Sequence, residues 1–250
     1  MNIQEINIKK GDCLELMKDI ADKSIDMILC DLPYGTTACK WDVIIPFEEL
    51  WEQYNRIAKE NTPIVLFSSQ PFTTKLIYSN INNYRYNWYW IKSQVSGFAL
   101  AKKQPLRVVE DICIFYKKTT KYNPQGLIKI DNPKTRIRNN KRKDKIYSDT
   151  LEKQYVSMYK NYPKQTLFYK RDNKNRLHPT QKPVALLEYL IKTYTNENDL
   201  VLDNCMGSGS TGVACINTNR KFIGIEKEDK YFNIAKERIS STLKNKECVF

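Results

Sequence analysis

The segment Leu200-Val201-Leu202-Asp203-Asn204-Cys205-Met206-Gly207-Ser208-Gly209-Ser210-Thr211-Gly212 decides the fold class of this 250-residue chain. Asp199 to Asp203, three apolar residues between two aspartates, reads as a strand. It runs into a literal G-x-G-x-x-G, and Thr211 to Thr218 then has helical character. In this order, glycines let a backbone approach a nucleotide. Glu226 ends the next strand, Lys221 to Ile225, 19 residues after Gly207. An acid at that spacing takes ribose hydroxyls. The pattern alone also admits a purely structural turn.

Toward the C-terminus only that one strand and one helix, Asp229 to Leu243, follow. A dinucleotide dehydrogenase would carry the turn on its first strand, with two further βα units behind it. Here the sheet must be completed by N-terminal segments, as if the order were circularly permuted. Those segments are present. Strands are expected at Glu5 to Lys9, Ser24 to Cys30, Pro63 to Phe67, Tyr84 to Ile91 and Asp111 to Tyr116. Helices are expected from Gly11-Asp12-Cys13 to about Ile20, at Phe47 to Lys59, from Ser68-Ser69-Gln70-Pro71 to about Tyr78, and at Pro183 to Tyr194. Seven strands with interleaved helices predict an α/β fold, a mostly parallel sheet covered on both faces.

Charge marks a break in this alternation. The net charge is +13 and the pI near 9.3. Lys117 to Arg176 holds 18 Lys and Arg against five acids, Asp131, Asp144, Asp149, Glu152 and Asp172. Basic and acidic residues balance elsewhere, so this block carries the whole excess. A localised excess is a footprint for a polyanion, with a solvated loop as the plainer reading. The division expected is 1–116 and 177–250 as two halves of one domain, with 117–176 as an insertion. No run of 18 apolar residues exists to span a membrane, and residues 1–11 lack a signal-peptide core. Seven scattered Cys without a C-x-x-C pair, and a single His178, give no zinc spacing, so no metal is expected. They read as reduced thiols of a cytosol.

Working back to the central strand, Ser24-Ile25-Asp26-Met27-Ile28-Leu29-Cys30 opens into Asp31-Leu32-Pro33-Tyr34. A carboxylate, a stiffened backbone and a ring then stand where open α/β sheets bind ligands, beyond a strand's carboxyl end. An Asp-x-Pro turn is the alternative for these four residues taken alone. Beside a nucleotide-like cofactor, this set suits an amine substrate better than a hydride acceptor. Cys30 and Cys39 read as buried structural thiols. Trp88, Trp90 and Phe72 read as core.

Asp31-Leu32-Pro33-Tyr34 resembles the D-P-P-Y motif of amino-group DNA methyltransferases, and Asp203 to Gly209 resembles their S-adenosylmethionine loop. The order, catalytic motif first and cofactor loop late, resembles the β class. His178-Pro179-Thr180-Gln181-Lys182-Pro183 before a helix matches another element of that class, and Gly11-Asp12-Cys13 is similar to the segment that contacts the cofactor adenine. Thr36 and Trp41-Asp42 also stand in similar positions. The resemblance implies a Rossmann-like seven-stranded S-adenosylmethionine-dependent methyltransferase sheet in circularly permuted order. It implies Asp31, Leu32, Pro33 and Tyr34 as catalytic. Asp12, Cys13, Asp31, His178, Thr180, Lys182, Asp203, Gly207, Ser208, Gly209 and Glu226 would bind the cofactor. In similar enzymes the target-recognition region occupies the place of residues 117–176, and there Lys141, Arg142, Lys143 and Lys145 are expected on DNA phosphates. Leu32 departs from the usual Pro, and Asn204-Cys205 from the usual Pro-Phe.

The chemistry accounts for the residue types. Adenine's exocyclic amine is conjugated with its ring and is a poor nucleophile. Hydrogen bonds from it to the Asp31 carboxylate and a carbonyl near Leu32 would stabilise its developing charge. Tyr34 would stack on the base once it leaves the duplex. The implied function is methylation of adenine N6 in duplex DNA, with cytosine N4 as the alternative and a nicotinamide-dependent oxidoreductase more remote. Double-stranded DNA is the expected partner in a bacterial or phage-infected cytoplasm, with no membrane. The resemblance leaves room for a homodimer and for a cognate restriction endonuclease.

Overall fold

Met27, Ile28, Leu29 and Cys30 are all buried. A strand covered on both faces explains why the sequence there is continuously apolar rather than alternating. The computed structural model describes residues 5–39, 41–137, 154–171, 177 and 181–247. In chain order its elements are β1 (Ile6–Lys10), α1 (Cys13–Met17), β2 (Met27–Asp31), α2 (Phe47–Ile57), β3 (Ile64–Ser68), α3 (Phe72–Ser79), β4 (Tyr84–Ser96) and β5 (Arg107–Phe115). There follow β6 (Ile128–Lys129), β7 (Thr135–Ile137), β8 (Gln154–Val156), β9 (Tyr159–Lys160), β10 (Thr166–Tyr169), α4 (Val184–Tyr194), β11 (Leu200–Asp203), α5 (Ser210–Asn217), β12 (Lys221–Glu226) and α6 (Asp229–Glu247).

The main sheet has the order β1-β12-β11-β2-β3-β5-β4-β10. Its pairings are parallel except around β5, which is antiparallel to β3 and to β4. Alternate residues of β2 feed two cores. Met27 and Leu29 join Phe67, Trp88, Trp90 and the apolar side of α4. Ile28 and Cys30 join Leu50, Trp51 and Tyr54 of α2 on the other face. Trp88, Trp90 and Phe72 are core residues, as expected. The central pair is β11 beside β2, with Leu202 opposite Ile28. From β2 the chain winds toward β3, and from β11 toward β12, so the order reverses between them. Such a switch point opens a crevice at the carboxyl ends of the two strands.

All seven expected strands lie in this sheet, and an eighth joins them from within the basic block. β10 pairs with β4, placing Leu167 opposite Trp90. Leu167 is buried and Phe168 exposed, an alternation too short to stand out in a charged stretch. Lys117 to Asn123 also stays with the sheet: the Lys121 ammonium reaches Asp199 at 2.7 Å, and the Asn123 backbone N–H donates to the Thr193 carbonyl at 2.7 Å. The separate compact unit is therefore Pro124–Lys164, narrower than residues 117–176. Within it β6 pairs with β9 and β7 with β8, both antiparallel. Cys39 departs from expectation too: it is exposed, while Cys30 is buried.

Candidate active site

Asp31 is the last residue of β2, where the sheet stops covering it, and a fifth of its side chain remains open. Its Oδ1 accepts a hydrogen bond from the Tyr34 hydroxyl at 2.7 Å, and its Oδ2 one from the Lys182 ammonium at 2.5 Å. The Tyr34 ring stacks on Phe72 with centroids 5.0 Å apart and planes at 24°. The loop after Tyr34 is tied down by Asp42. Its carboxylate accepts the backbone N–H groups of Gly35, Thr36 and Thr37 at 2.9, 2.9 and 2.7 Å. Burial works to raise the Asp42 carboxyl, but the Thr37 side chain and these backbone groups outweigh it and hold it below its ordinary value.

Opposite, β11 delivers Asp203 into the glycine turn. Gly209 has φ +75°, a conformation that other residues rarely adopt. A Cβ at Gly212 would meet Ile239 Cδ1 at 2.7 Å, so glycine is what lets α5 pack against α6. Asp203 accepts from Thr211 Oγ1 at 2.6 Å and from the Cys205 N–H at 3.1 Å. Burial pushes its carboxyl up to about 6. Asn204, at a departure from the family pattern, accepts from the Tyr54 hydroxyl at 2.6 Å and so locks the turn to α2. Glu226 ends β12 and accepts from the N–H groups of Gly207 (2.9 Å) and Glu228 (2.8 Å). Asp12 caps α1 through the Leu14 N–H at 3.0 Å.

These parts face one cleft of about 330 Å³. It is lined by Asp12 and Cys13, by Asp31 to Tyr34, by Asp203 to Ser208, and by Glu226 and Lys182. That volume falls in the range of small-ligand sites. Gln181 was not given a role from the sequence, yet its amide Nε2 is buried at the cleft wall with no hydrogen-bond partner among the described residues. Its Oε1 meanwhile accepts from Ser208 at 3.2 Å. A buried donor of this kind calls for a ligand's acceptor. Glu110 of β5 was missed as well; it contacts Lys182 at 2.9 Å. His178, Thr180, Lys141, Arg142, Lys143 and Lys145 lie outside the described residues.

The thiols here are held neutral. Burial pushes Cys30 up to about 12, and contact with Cys205 and burial raise Cys13. A thiolate nucleophile is thereby disfavoured. Burial also raises Asp31 and Glu226 above the usual carboxylate range. The arrangement is a carboxylate acceptor at one strand end, facing a glycine turn with an acid behind it.

Comparison with known proteins agrees with this geometry. The chain matches the family model described as DNA methylase over residues 25–237. It is 30% identical over 246 residues to the Type II methyltransferase M.HpaI of Haemophilus parainfluenzae, covering 92% of this chain and 73% of that protein. It is 29% identical over 249 residues to the DNA adenine methyltransferase YhdJ of Escherichia coli K12, covering 92% and 81%. The solved M1.HpyAVI–SAM complex matches with a TM-score of 0.64 at 26% identity, covering 94% of this chain and 98% of that one.

Proposed function

The chain belongs to the DNA methylase family of N6- and N4-amine type, and from that premise we propose that it methylates the exocyclic N6 of adenine in duplex DNA, using S-adenosylmethionine. The observation that carries this reading is the Asp31 carboxylate, open to the same cleft as the Gly207 turn. With family membership the nicotinamide-dependent alternative falls away.

The cofactor supplies an electrophilic methyl group on a sulfonium. Glu226, Asp12 and Cys13 would hold its nucleoside end, and the Gln181 amide and the Asp203 turn would hold its amino-acid end. The rest is done by this chain's side chains. Asp31 Oδ1 and the Leu32 carbonyl accept the amine hydrogens, drawing the nitrogen toward a tetrahedral lone pair. They also stabilise the positive charge that grows on it. In the free protein the Tyr34 hydroxyl donates to that same Oδ1. An arriving amine replaces it, freeing the ring to stack on the base, and Phe72 backs the ring from behind. Extruding the base costs a few kcal/mol, and stacking offsets part of that. The reading carries with it a cytoplasmic, DNA-associated setting. Among the described residues no helix is long and apolar enough to cross a membrane.

Adenine is favoured by Asp in the first motif position, by the two-ring surface offered to Tyr34, and by the adenine enzyme among the relatives. Labelled-methyl transfer to duplex DNA, followed by nucleoside chromatography, is expected to place the label in N6-methyldeoxyadenosine. Label running with N4-methylcytosine would keep the reaction and replace the named base.

The basic block is proposed to hold DNA through phosphates. Changing Lys141, Arg142, Lys143 and Lys145 together to Ala should weaken binding on every sequence alike. The slope of log affinity against log salt should become shallower by about 0.9 for each phosphate no longer neutralised. An unchanged slope would return the four residues to a solvated loop.

A further inference from the structure

Behind Asp31 lies a row of buried charges that the transfer itself does not touch. Lys182 precedes α4, Glu110 lies on β5 and Lys92 on β4, and each is no more than 8% exposed. The Lys182 ammonium donates to Asp31 Oδ2 at 2.5 Å, pairs by charge with Glu110 Oε1 at 2.9 Å without hydrogen-bond alignment, and sits 4.9 Å from the centre of the Phe67 ring. The Lys92 ammonium lies 3.7 Å from Glu110 Oε2. Signs alternate along Asp31, Lys182, Glu110 and Lys92. Desolvating four charges costs more than their attraction commonly returns, and apolar side chains would pack such a site at less cost. Stability therefore does not account for the row. Its one open end is Asp31.

We propose that Lys182 and Glu110 are positioning residues for the methyl acceptor: Glu110 fixes the Lys182 ammonium, and Lys182 engages Asp31 Oδ2 so that Oδ1 is turned to the amine. The inference rests on the reading of Asp31 as the amine's acceptor, and it moves Lys182 away from the cofactor role expected from sequence. The need is physical. Burial drives the Asp31 carboxyl toward its neutral form and the like charge of Glu110 adds to it; Lys182 and the Tyr34 hydroxyl oppose that and limit a rise that would be larger without them. From neighbouring elements, Asp203 and the neutral Cys30 thiol also face it. Burial works against Lys182 as well, but the two carboxylates outweigh it and keep the ammonium charged. For Glu110, Lys182, Lys92 and Arg171 outweigh burial and keep it ionised. A neutral Asp31 would present a hydrogen to the amine nitrogen and occupy the lone pair that must attack.

The signs of the two substitutions differ, and that makes the test sharp. Methyl transfer is measured against pH with saturating donor and DNA. The carboxyl-carbon resonance of Asp31, identified with Asp31→Asn, is titrated by NMR in the free protein. Lys182→Met should raise the acid limb and the Asp31 titration together by about one pH unit or more, a tenfold loss per unit below the limb. Lys182→Arg should restore most of it. Glu110→Gln removes a like charge, so its acid limb should move down, while the plateau rate falls about tenfold because the ammonium is no longer fixed. An Asp31 titration unmoved in Lys182→Met overturns the proposal. So does a weaker donor affinity with an unmoved limb, which would return Lys182 to the cofactor. A titration that moves while the rate profile does not supports the pairing and overturns instead the part given to Asp31 in the reaction.

Discussion

Asp31→Ala is expected to slow single-turnover methyl transfer by at least about 3 kcal/mol, roughly a hundredfold or more, the scale seen when a charge-stabilising partner is removed from a transition state. Donor affinity should change little, because the carboxylate's partners are Tyr34 and Lys182 rather than the glycine turn. The fold should survive, since Lys182 keeps Glu110 as a counter-charge at 2.9 Å. Asp31→Asn separates charge from shape: it retains an acceptor oxygen but not the negative charge, and should recover only a small part of the loss. Rapid-quench transfer from labelled donor to a duplex gives the rate, and calorimetry gives the affinity. Near-normal transfer by Asp31→Ala would remove the carboxylate from the mechanism.

The second large effect should fall on binding. Both carboxylate oxygens of Glu226 accept main-chain N–H groups, one of them from Gly207 in the turn. Glu226→Ala therefore loses a ligand acceptor and loosens the turn that shapes the site. Hydrogen bonds to a charged group contribute about 1.5 to 3 kcal/mol each. Donor dissociation constants should accordingly rise by roughly 30- to 150-fold for a loss of about 2 to 3 kcal/mol. At saturating donor the transfer rate should stay within a few-fold of the parent, the reverse of the Asp31 pattern. A variant with unchanged donor affinity would show that Glu226 serves only the turn.

The parts of this molecule that were legible in sequence share a physical cause. β2, β3 and β11 are buried on both faces, and buried strands leave unbroken apolar runs. The glycine turn was legible because Gly209 and Gly212 answer to steric demands that few residues meet. β10 was not, since four residues with one buried face carry too little pattern against surrounding charge. The direction of β5 was hidden for another reason: a strand's orientation depends on its neighbours and not on its own side chains. The contact of Glu110 with Lys182 follows from that direction, as β5 brings Glu110 opposite Trp90. The motif had marked Lys182 while giving it a different partner. Asp42 was noted by position only; its three bonds to the preceding loop required the turn's geometry.

The way residues 124–164 are attached has a consequence for how such a protein changes over generations. The chain leaves the sheet-bearing unit at Asn123, whose side-chain amide donates to the carbonyls of Lys192 and Thr195 at 3.2 Å. It returns at Gln165, whose carbonyl accepts the Tyr89 N–H at 2.8 Å. Both anchor points thus belong to the sheet-bearing scaffold. Doubling the length of a flexible connection costs only about 0.6 kcal/mol of closure entropy. Cassettes of different size and sequence can be exchanged at these two points while Asp31, the glycine turn and both cores keep their surroundings. A lineage is then free to rebuild what lies between these two points without rebuilding the cleft.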